Sequence, residues 1–163
     1  MKRFLTMLLF ALMAIPASAQ LVISDDFEDG TYSKWKVWNN QQNEMSEGIN
    51  AYEGAHAYQI KVGTFITVRD VKANSRYKVT FFVRSLAEKG SAKVAIARYD
   101  ANQKKMVNFK DEFVELTNEY KLVTFFFNTR KQATTHRVIL TPVEGSGRFI
   151  VDNFVVEQVP RYQ

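Results

Sequence analysis

The last apolar run of this chain contains one carboxylate, and this acidic side chain needs a partner more than any other residue of the sequence. Asp152 lies in the segment Arg148 to Val156. Strand alternation would put its side chain on the same side as those of Ile150, Phe154 and Val156. Burying an unpaired carboxylate is costly. We therefore expect Asp152 to be neutralised by a cation, to cap a turn or to pair with a lysine.

The remaining reactive side chains give little support for catalysis. The chain has no cysteine and two histidines, His56 and His136, which we expect to be isolated surface or turn residues. It contains no GxSxG elbow, HExxH helix or glycine-rich phosphate loop. Four acidic residues are expected in loop-like polar stretches without an apolar pocket: Asp100, Asp111, Glu112 and Glu115. A glycosidase pair leaves no fixed sequence spacing, so a small hydrolase stays as the disfavoured alternative to a non-enzyme.

Short runs of alternating apolar residues, separated by polar or glycine-containing turns, predict an all-β protein. The runs are rich in Val, Ile, Phe, Tyr and Thr, which favour strands. The clearest are Tyr58 to Val62, Tyr77 to Arg84, Lys93 to Tyr99, Tyr120 to Phe127, Arg137 to Thr141 and Arg148 to Val156. No window has a sustained helical stripe with caps. Many short strands at this spacing predict a sandwich or barrel.

The first 19 residues have the three parts of a cleaved export signal, in the expected order. These are the basic Lys2 and Arg3, the apolar run Phe4 to Ile15, and the small-x-small site Ala17 to Ala19 after Pro16. The alternative is a buried N-terminal helix. The apolar run is shorter than the roughly 20 residues that span a bilayer. We expect a mature domain, residues 20–163, that is secreted or periplasmic and not inserted in a membrane.

Charge and cysteine content limit the partners and the sources of stability. The chain has 22 basic and 17 acidic residues, and loss of Lys2 and Arg3 leaves 20 against 17. The basic residues are scattered, whereas a nucleic-acid site needs them clustered, so we expect no nucleic-acid partner. Without disulfides, stability must come from the core or from a bound metal ion.

Five segments, in order along the chain, carry a resemblance to one family. They are Asp26 to Gly30 followed by Trp35, Ala51 to Tyr58, Val71 to Arg84, Asn118 to Phe127, and Gly147 to Val156. Together they resemble the jelly-roll carbohydrate-binding modules of the cellulose- and xylan-binding type, in the galactose-binding-like superfamily. In the fourth segment Tyr120 stands where the family has Trp.

This resemblance implies a β-sandwich jelly roll of two antiparallel sheets with a structural calcium ion. Carried over residue by residue, the metal ligands are the carboxylates of Glu28 and Asp152 and backbone oxygens near Asp26, Gly54 and His56. Calcium accepts such mixtures of carboxylate and carbonyl oxygens. The alternative is that the acidic residues between positions 25 and 29 form a solvated turn without a metal.

The resemblance also implies a module whose partner is a polysaccharide or glycan, and the N-terminal signal and the lack of catalytic motifs predict that it is exported and non-catalytic. Sugar rings stack their C–H bonds on aromatic faces, so a binding face should carry aromatic residues on a polar sheet surface. The candidates are Phe82, Arg84, Tyr99 and Phe126, with Trp38 to Gln41 as a flanking loop. The first alternative is that these aromatic residues only fill the two sheets. The second is a structural or adhesion module without sugar affinity, whose partner is another exported protein.

Overall fold

The computed structural model describes residues 19–38, 41–69, 71–131 and 134–161, and within these ranges the chain is built from β-strands. Their bounds are β1 Gln20–Asp25, β2 Trp35–Val37, β3 Glu44–Glu47, β4 His56–Ile60, β5 Thr64–Val68, β6 Arg76–Ser85, β7 Lys89–Asp100, β8 Lys105–Thr117, β9 Lys121–Asn128, β10 His136–Pro142 and β11 Phe149–Val159. A 3-10 turn spans Gly48–Asn50. Residues 1–18 of the expected export signal, and Asn39 and Asn40 of the expected binding loop, lie outside the described residues.

The strands form two antiparallel sheets that pack face to face. The six-stranded sheet has the order β3-β4-β11-β6-β9, with β1 also paired to β11, and the five-stranded sheet has the order β2-β5-β10-β7-β8. The predicted β-sandwich jelly roll of two antiparallel sheets is therefore confirmed. In the described part of the chain, no helix has the length and apolar character needed to cross a membrane.

All six apolar runs of the sequence lie mostly within strands, because alternation places one apolar row of each strand between the sheets. The clearest case is β6, in which buried and half-buried residues alternate over all ten positions. The inward rows, together with Phe27 of the loop after β1, build one core that includes Trp35, Tyr58 and Phe154. The indole Nε1 of buried Trp35 donates to Oδ2 of buried Asp25 at 3.0 Å.

One predicted loop is a strand. Asp111, Glu112 and Glu115 lie in β8, and Asp100 is the last residue of β7. Strand β8 is at the edge of its sheet and pairs with β7. Most of its side chains reach solvent, so it does not need an apolar alternation, and charged residues are common on such edges.

A bulge in β11 contradicts the predicted placement of Asp152. The register of β11 against β6 shifts between Asp152 and Val155, and Asn153 has a positive φ of 48°. Phe154 therefore faces the core between the sheets, whereas Asp152 lies on the outer side of the six-stranded sheet. Alternation could not predict this change because a bulge inserts one extra residue.

The prediction that His136 is a surface or turn residue is also wrong. Its ring is buried at the start of β10 and stacks on Phe127 with ring centroids 5.4 Å apart. Its Nδ1 lies 2.8 Å from the carbonyl oxygen of Thr134. Burial lowers the pKa of His136, with the Thr134 carbonyl opposing that shift.

Candidate functional site

Glu28 is held against the turn that precedes β4. Its carboxylate accepts the backbone N–H of Ala55 at 2.9 Å and that of His56 at 2.9 Å. These two donors lower the pKa of Glu28. Gly54, which has a positive φ of 72°, lies directly beside this carboxylate. Glu28, Gly54 and His56, three of the metal ligands that the resemblance implied, therefore lie together at this turn.

Asp152 reaches the same turn from β11. Its Oδ2 accepts the N–H groups of Tyr52 at 2.8 Å and Glu53 at 3.2 Å, and its Oδ1 accepts the N–H of Asn153 at 2.7 Å. Burial raises the pKa of Asp152, these N–H groups lower it, and the negative charge of Glu28 raises it further. The carboxylate thus has turn-capping partners, which was one of the expected solutions to its burial.

The predicted metal ligands can be compared with the donors that calcium needs. Glu28 and Asp152 flank one turn, and carbonyl oxygens of that turn could complete a set of oxygen ligands. The side chain of Asp26 does not contact this turn through that bond, because its Oδ1 accepts the N–H of Glu28 at 3.3 Å within its own loop. No group of three or more acidic, histidine or cysteine side chains suited to a metal occurs among the described residues. The donor types fit calcium if backbone oxygens supply most of the ligands.

The five residues predicted to bind sugar do not share one face. Phe82, Arg84 and Phe126 lie on the outer side of the six-stranded sheet, where the segment between β3 and β4 covers the first two. The ring of Tyr52 stacks on that of Phe82, with centroids 3.6 Å apart and planes 11° from parallel. Nη2 of Arg84 donates to Oδ1 of Asn50.

Tyr120 completes this cover. Its hydroxyl donates to the carbonyl oxygen of Asn50, and its ring meets that of Tyr52 edge-on at 5.4 Å. Burial raises the pKa of Tyr120 to about 12. Phe126 lies further along the sheet, beneath the guanidinium of Arg76 at 4.3 Å. The aromatic residues of this face therefore mostly contact other groups of the protein.

The outer side of the five-stranded sheet is different, because its aromatic residues surround an apolar floor. Phe65, Ala95, Ala97 and Ile139 form a buried cluster separate from the core between the sheets, with Met106 packed against it. Ladder pairing places Phe65, Ile139 and Ala95 in one row across β5, β10 and β7.

Two exposed aromatic residues stand at opposite edges of this floor. Trp38, which is 42% exposed, lies 6.1 Å from the ring of Phe65. A second row runs from Trp38 past Gly63 and Thr141 to Lys93, which pairs with Phe113 of β8. Phe113 is 66% exposed. Four strand spacings separate the two edges, a distance of about 19 Å.

Polar groups lie between these aromatic residues. The guanidinium of Arg137 lies 4.2 Å from the centre of the Phe65 ring, and its buried Nε has no hydrogen-bond partner among the described residues. Lys93 forms an ion pair with Asp111 at 2.6 Å, and its Nζ lies 5.6 Å from the Phe113 ring. We call this surface, with Trp38, Phe113 and the floor, the aromatic-rimmed face.

Tyr99 extends the aromatic-rimmed face toward one end of β7. It follows Ala95 and Ala97 at two-residue intervals and pairs with Met106. Of the predicted sugar-binding residues, Trp38 and Tyr99 therefore lie on this sheet. Phe65, Phe113 and Arg137 also lie on this sheet but were not among the residues predicted from the sequence. Correct assignment of β8 as a strand could have pointed to Phe113, since an exposed aromatic on a polar strand is unusual.

Comparison with known proteins agrees with this architecture. The profile of a protein family described as carbohydrate binding domain matches residues 19–144. No curated protein matches the chain.

Solved structures share the fold at low sequence identity. The chain is similar to the CBM22-1-CBM22-2 tandem domain of Paenibacillus barcinonensis Xyn10C, with a TM-score of 0.74 and 16% identity. That match covers 89% of this chain but 47% of the tandem domain. For the CBM22-1 xylan-binding domain of the same protein the TM-score is 0.71 and the identity 17%, covering 87% of this chain and 96% of the domain.

A third similar structure is the C-terminal family 22 carbohydrate binding module of Clostridium thermocellum Xyn10B, with a TM-score of 0.70 and 14% identity. The match covers 91% of this chain and 99% of that module. Amino acids in the cleft of that module are described as having a role in ligand binding.

Proposed function

This chain belongs to the carbohydrate binding domain family, and on that premise we propose that its aromatic-rimmed face binds a polysaccharide without cleaving it. Xylan is the first candidate, because structurally similar domains are described as xylan-binding. The observation that carries the proposal is the pair of exposed aromatic residues, Trp38 and Phe113, on opposite edges of one apolar floor.

The arrangement suits an extended sugar chain. Pyranose rings would stack their C–H bonds on Trp38 and Phe113, at positions about four strand spacings apart. Between them, hydroxyl groups would meet Lys93, Asp111 and the guanidinium of Arg137. A face that combines apolar contact with a few directed polar groups is typical of ligand sites.

The opposite sheet offers less free aromatic surface. Tyr52 and Phe82 stack on each other, and Arg84 donates to Asn50. A sugar would have to displace the segment between β3 and β4 to reach Phe82. We therefore assign binding to the aromatic-rimmed face rather than to Phe82, Arg84 and Phe126.

Isothermal titration with xylan and a panel of other polysaccharides tests the assignment. Trp38→Ala and Phe113→Ala should each weaken binding by about tenfold, because exposed aromatic anchors dominate such contacts. The matched control is Tyr52→Ala, since Tyr52 is 45% exposed but lies on the other sheet. Thermal melts would check that every variant folds.

Three results would contradict the proposal. A loss of affinity in Tyr52→Ala with none in Trp38→Ala would place binding on the six-stranded sheet. No binding to any polysaccharide would favour a structural or adhesion module whose partner is another exported protein. Release of reducing sugar from a bound polymer would contradict the non-catalytic part of the proposal.

We also propose that a structural calcium ion joins Glu28 and Asp152 at the turn before β4. The support is that Glu28 and Asp152 contact the same turn, through the N–H groups of Ala55 and Glu53. Burial and the charge of Glu28 raise the pKa of Asp152, against the backbone N–H groups that lower it. A cation beside both carboxylates would relieve that cost. Backbone oxygens of Asp26, Gly54 and His56 are the remaining predicted ligands.

Thermal melts with calcium and with EDTA test this site. Calcium at 100 times its Kd would stabilise the fold by about 2.7 kcal/mol. Asp152→Asn should remove most of the response. Asp29→Asn, in the same acidic segment, should keep it, since Asp29 caps its own turn through Thr31. Identical melts with calcium and with EDTA in the unmodified protein would exclude the ion.

We propose further that the domain acts after export to the periplasm or cell exterior. The support is the order of basic, apolar and small residues before Gln20. Mass spectrometry of the protein produced with its full N-terminus should find a mature chain that begins at Gln20. An uncleaved Met1 would contradict this proposal.

A further inference from the structure

A cavity opens where the aromatic-rimmed face ends at Tyr99. Its volume is about 640 Å³, and Tyr99, Arg98, Arg130 and Lys131 are among the residues that line it. Tyr99 is 42% exposed and its N–H donates to the carbonyl oxygen of Thr135 at 3.0 Å. The cavity therefore has an exposed aromatic residue, Tyr99, among those that line it.

The charges of this cavity are unbalanced. Among the described residues that line it, three carry a positive charge and one, Asp100, carries a negative charge. Oδ1 of Asp100 accepts the N–H groups of Asn102 and Gln103, so this carboxylate caps its own turn.

Some basic residues of the protein are paired with carboxylates, whereas the three cations that line this cavity have no such partner among the described residues. Lys34, Lys61, Lys78, Lys93 and Lys110 each form an ion pair with a carboxylate. Within the described ranges, Arg98, Arg130 and Lys131 form none. Arg98 instead stacks over Phe109, with its Cζ 5.4 Å from the ring centre.

The cavity is continuous with the aromatic-rimmed face. Tyr99 pairs with Met106, which packs against the floor formed by Ala95, Ala97, Phe65 and Ile139. Arg137, which pairs with Ala97, adds a further positive charge between the floor and the cavity. A chain bound along the face could therefore place one of its sugars or side groups at Tyr99.

We propose that this cavity binds a carboxylated sugar, so that the protein prefers an acidic polysaccharide over its neutral counterpart. The inference rests on the proposed function, because it assigns one end of the same binding face. The ring of the uronic acid residue contacts Tyr99, and its carboxylate meets Arg130 and Lys131. Guanidinium groups suit this ligand because their paired N–H donors match the two oxygens of a carboxylate.

The test compares two ligands that differ only in charge: glucuronoxylan and the same polymer after reduction of its carboxyl groups. The unmodified protein should bind the acidic polymer about threefold to tenfold more tightly, as expected for a few partly exposed charge pairs. This preference should shrink as salt approaches about 1 M, where the Debye length falls to about 3 Å.

Charge variants locate the effect. Arg130→Gln with Lys131→Gln should abolish the preference but keep the affinity for the reduced polymer. The matched control is Lys89→Gln with Arg148→Gln, which removes two exposed positive charges at the opposite end of the sandwich. This control should keep the preference, and an equal loss in both double variants would overturn the assignment in favour of overall charge.

Three other outcomes would also overturn the inference, and they are distinguishable. Equal affinity for both polymers would contradict the acidic preference and leave the proposed function intact. Tighter binding of xylan sulfate than of glucuronoxylan would assign the cavity to a sulfate rather than to a carboxylate. No binding of either glucuronoxylan or its reduced form would reject the proposed xylan ligand together with this inference.

Discussion

The carboxylate of Glu28 occupies the space that a side chain at Gly54 would need. A Cβ on residue 54 would lie 2.6 Å from Oε2 of Glu28 and closer still to its Cδ and Oε1. Gly54 also has a positive φ of 72°. Residue 54 is therefore restricted to glycine both by its backbone conformation and by the carboxylate that binds the N–H groups of the next two residues.

Gly54→Ala should destabilise the protein more than a matched substitution at Gly145. Gly145 also has a positive φ, of 77°, but no atom of the described residues would lie within 4 Å of a Cβ at this position. Gly145→Ala should therefore cost about 1–2 kcal/mol from left-handed strain alone. Gly54→Ala should cost more, because the new Cβ must also displace the Glu28 carboxylate. Urea denaturation of both variants measures the difference, and equal costs would contradict the close approach of Glu28.

Removal of the Asp25 carboxylate should leave the buried indole of Trp35 without an acceptor. Asp25→Ala is expected to cost about 1–3 kcal/mol, the penalty of an unsatisfied buried donor. Asp25→Asn keeps an oxygen acceptor and should cost clearly less. Denaturant unfolding measures both values. If the two variants are equally stable, the bond from Nε1 of Trp35 contributes little.

The buried ring of His136 should make the fold less stable in mild acid. Because burial lowers its pKa in the folded state, the unfolded chain binds more protons just below its own pKa of about 6.5. This contribution to stability is present above that pH and is lost as the pH falls below it. The free energy of unfolding should therefore decrease between about pH 7.5 and pH 5.5.

His136→Phe provides the comparison, since it keeps an aromatic ring against Phe127 and Phe109. The variant loses the contact with Thr134 at every pH, but its stability should depend less on pH than that of the unmodified protein. Urea unfolding at both pH values measures the two slopes. Parallel slopes would mean that His136 does not carry the acid sensitivity.

Arg137→Met should separate binding from stability. The substitution removes a cation that lies over Phe65, a contact worth about 0.5–2 kcal/mol. It also removes a buried Nε that has no hydrogen-bond partner among the described residues, and the cost of that Nε is of similar size. Stability should therefore change by less than about 1 kcal/mol, whereas polysaccharide affinity should fall because a donor to sugar hydroxyls is lost. Unchanged affinity would exclude Arg137 from the binding site.

The strands that contribute most to the core were predictable because their own sequences alternate between apolar residues, which are buried, and residues that are less buried. In β6, for example, Tyr77, Val79 and Phe81 alternate with half-buried residues, as their sequence indicates. The edge strand β8 was not predictable in the same way. Its side chains reach solvent on much of their length, so burial imposes no two-residue pattern on Asp111, Glu112 and Glu115.

Some of the site residues could be grouped correctly from the sequence and others could not. Glu28, Gly54, His56 and Asp152 were named from a resemblance in sequence, and the structure brings them to one turn. Phe82 and Tyr99, in contrast, had the same signal, an aromatic residue opposite the apolar row of a strand. They lie on different sheets, and only Phe82 is covered by Tyr52.

Local alternation of apolar and polar residues was therefore enough to identify an all-β sandwich, since the period of two follows from strand geometry alone. Two decisive features depend on contacts between distant parts of the chain. The bulge at Asn153 turns Asp152 outward, where it binds the N–H of Tyr52, one hundred residues earlier. The segment that carries Tyr52 then covers one sheet and leaves Trp38 and Phe113 exposed on the other. Because that segment packs against residues far away in the sequence, only the tertiary structure could show which face remains open.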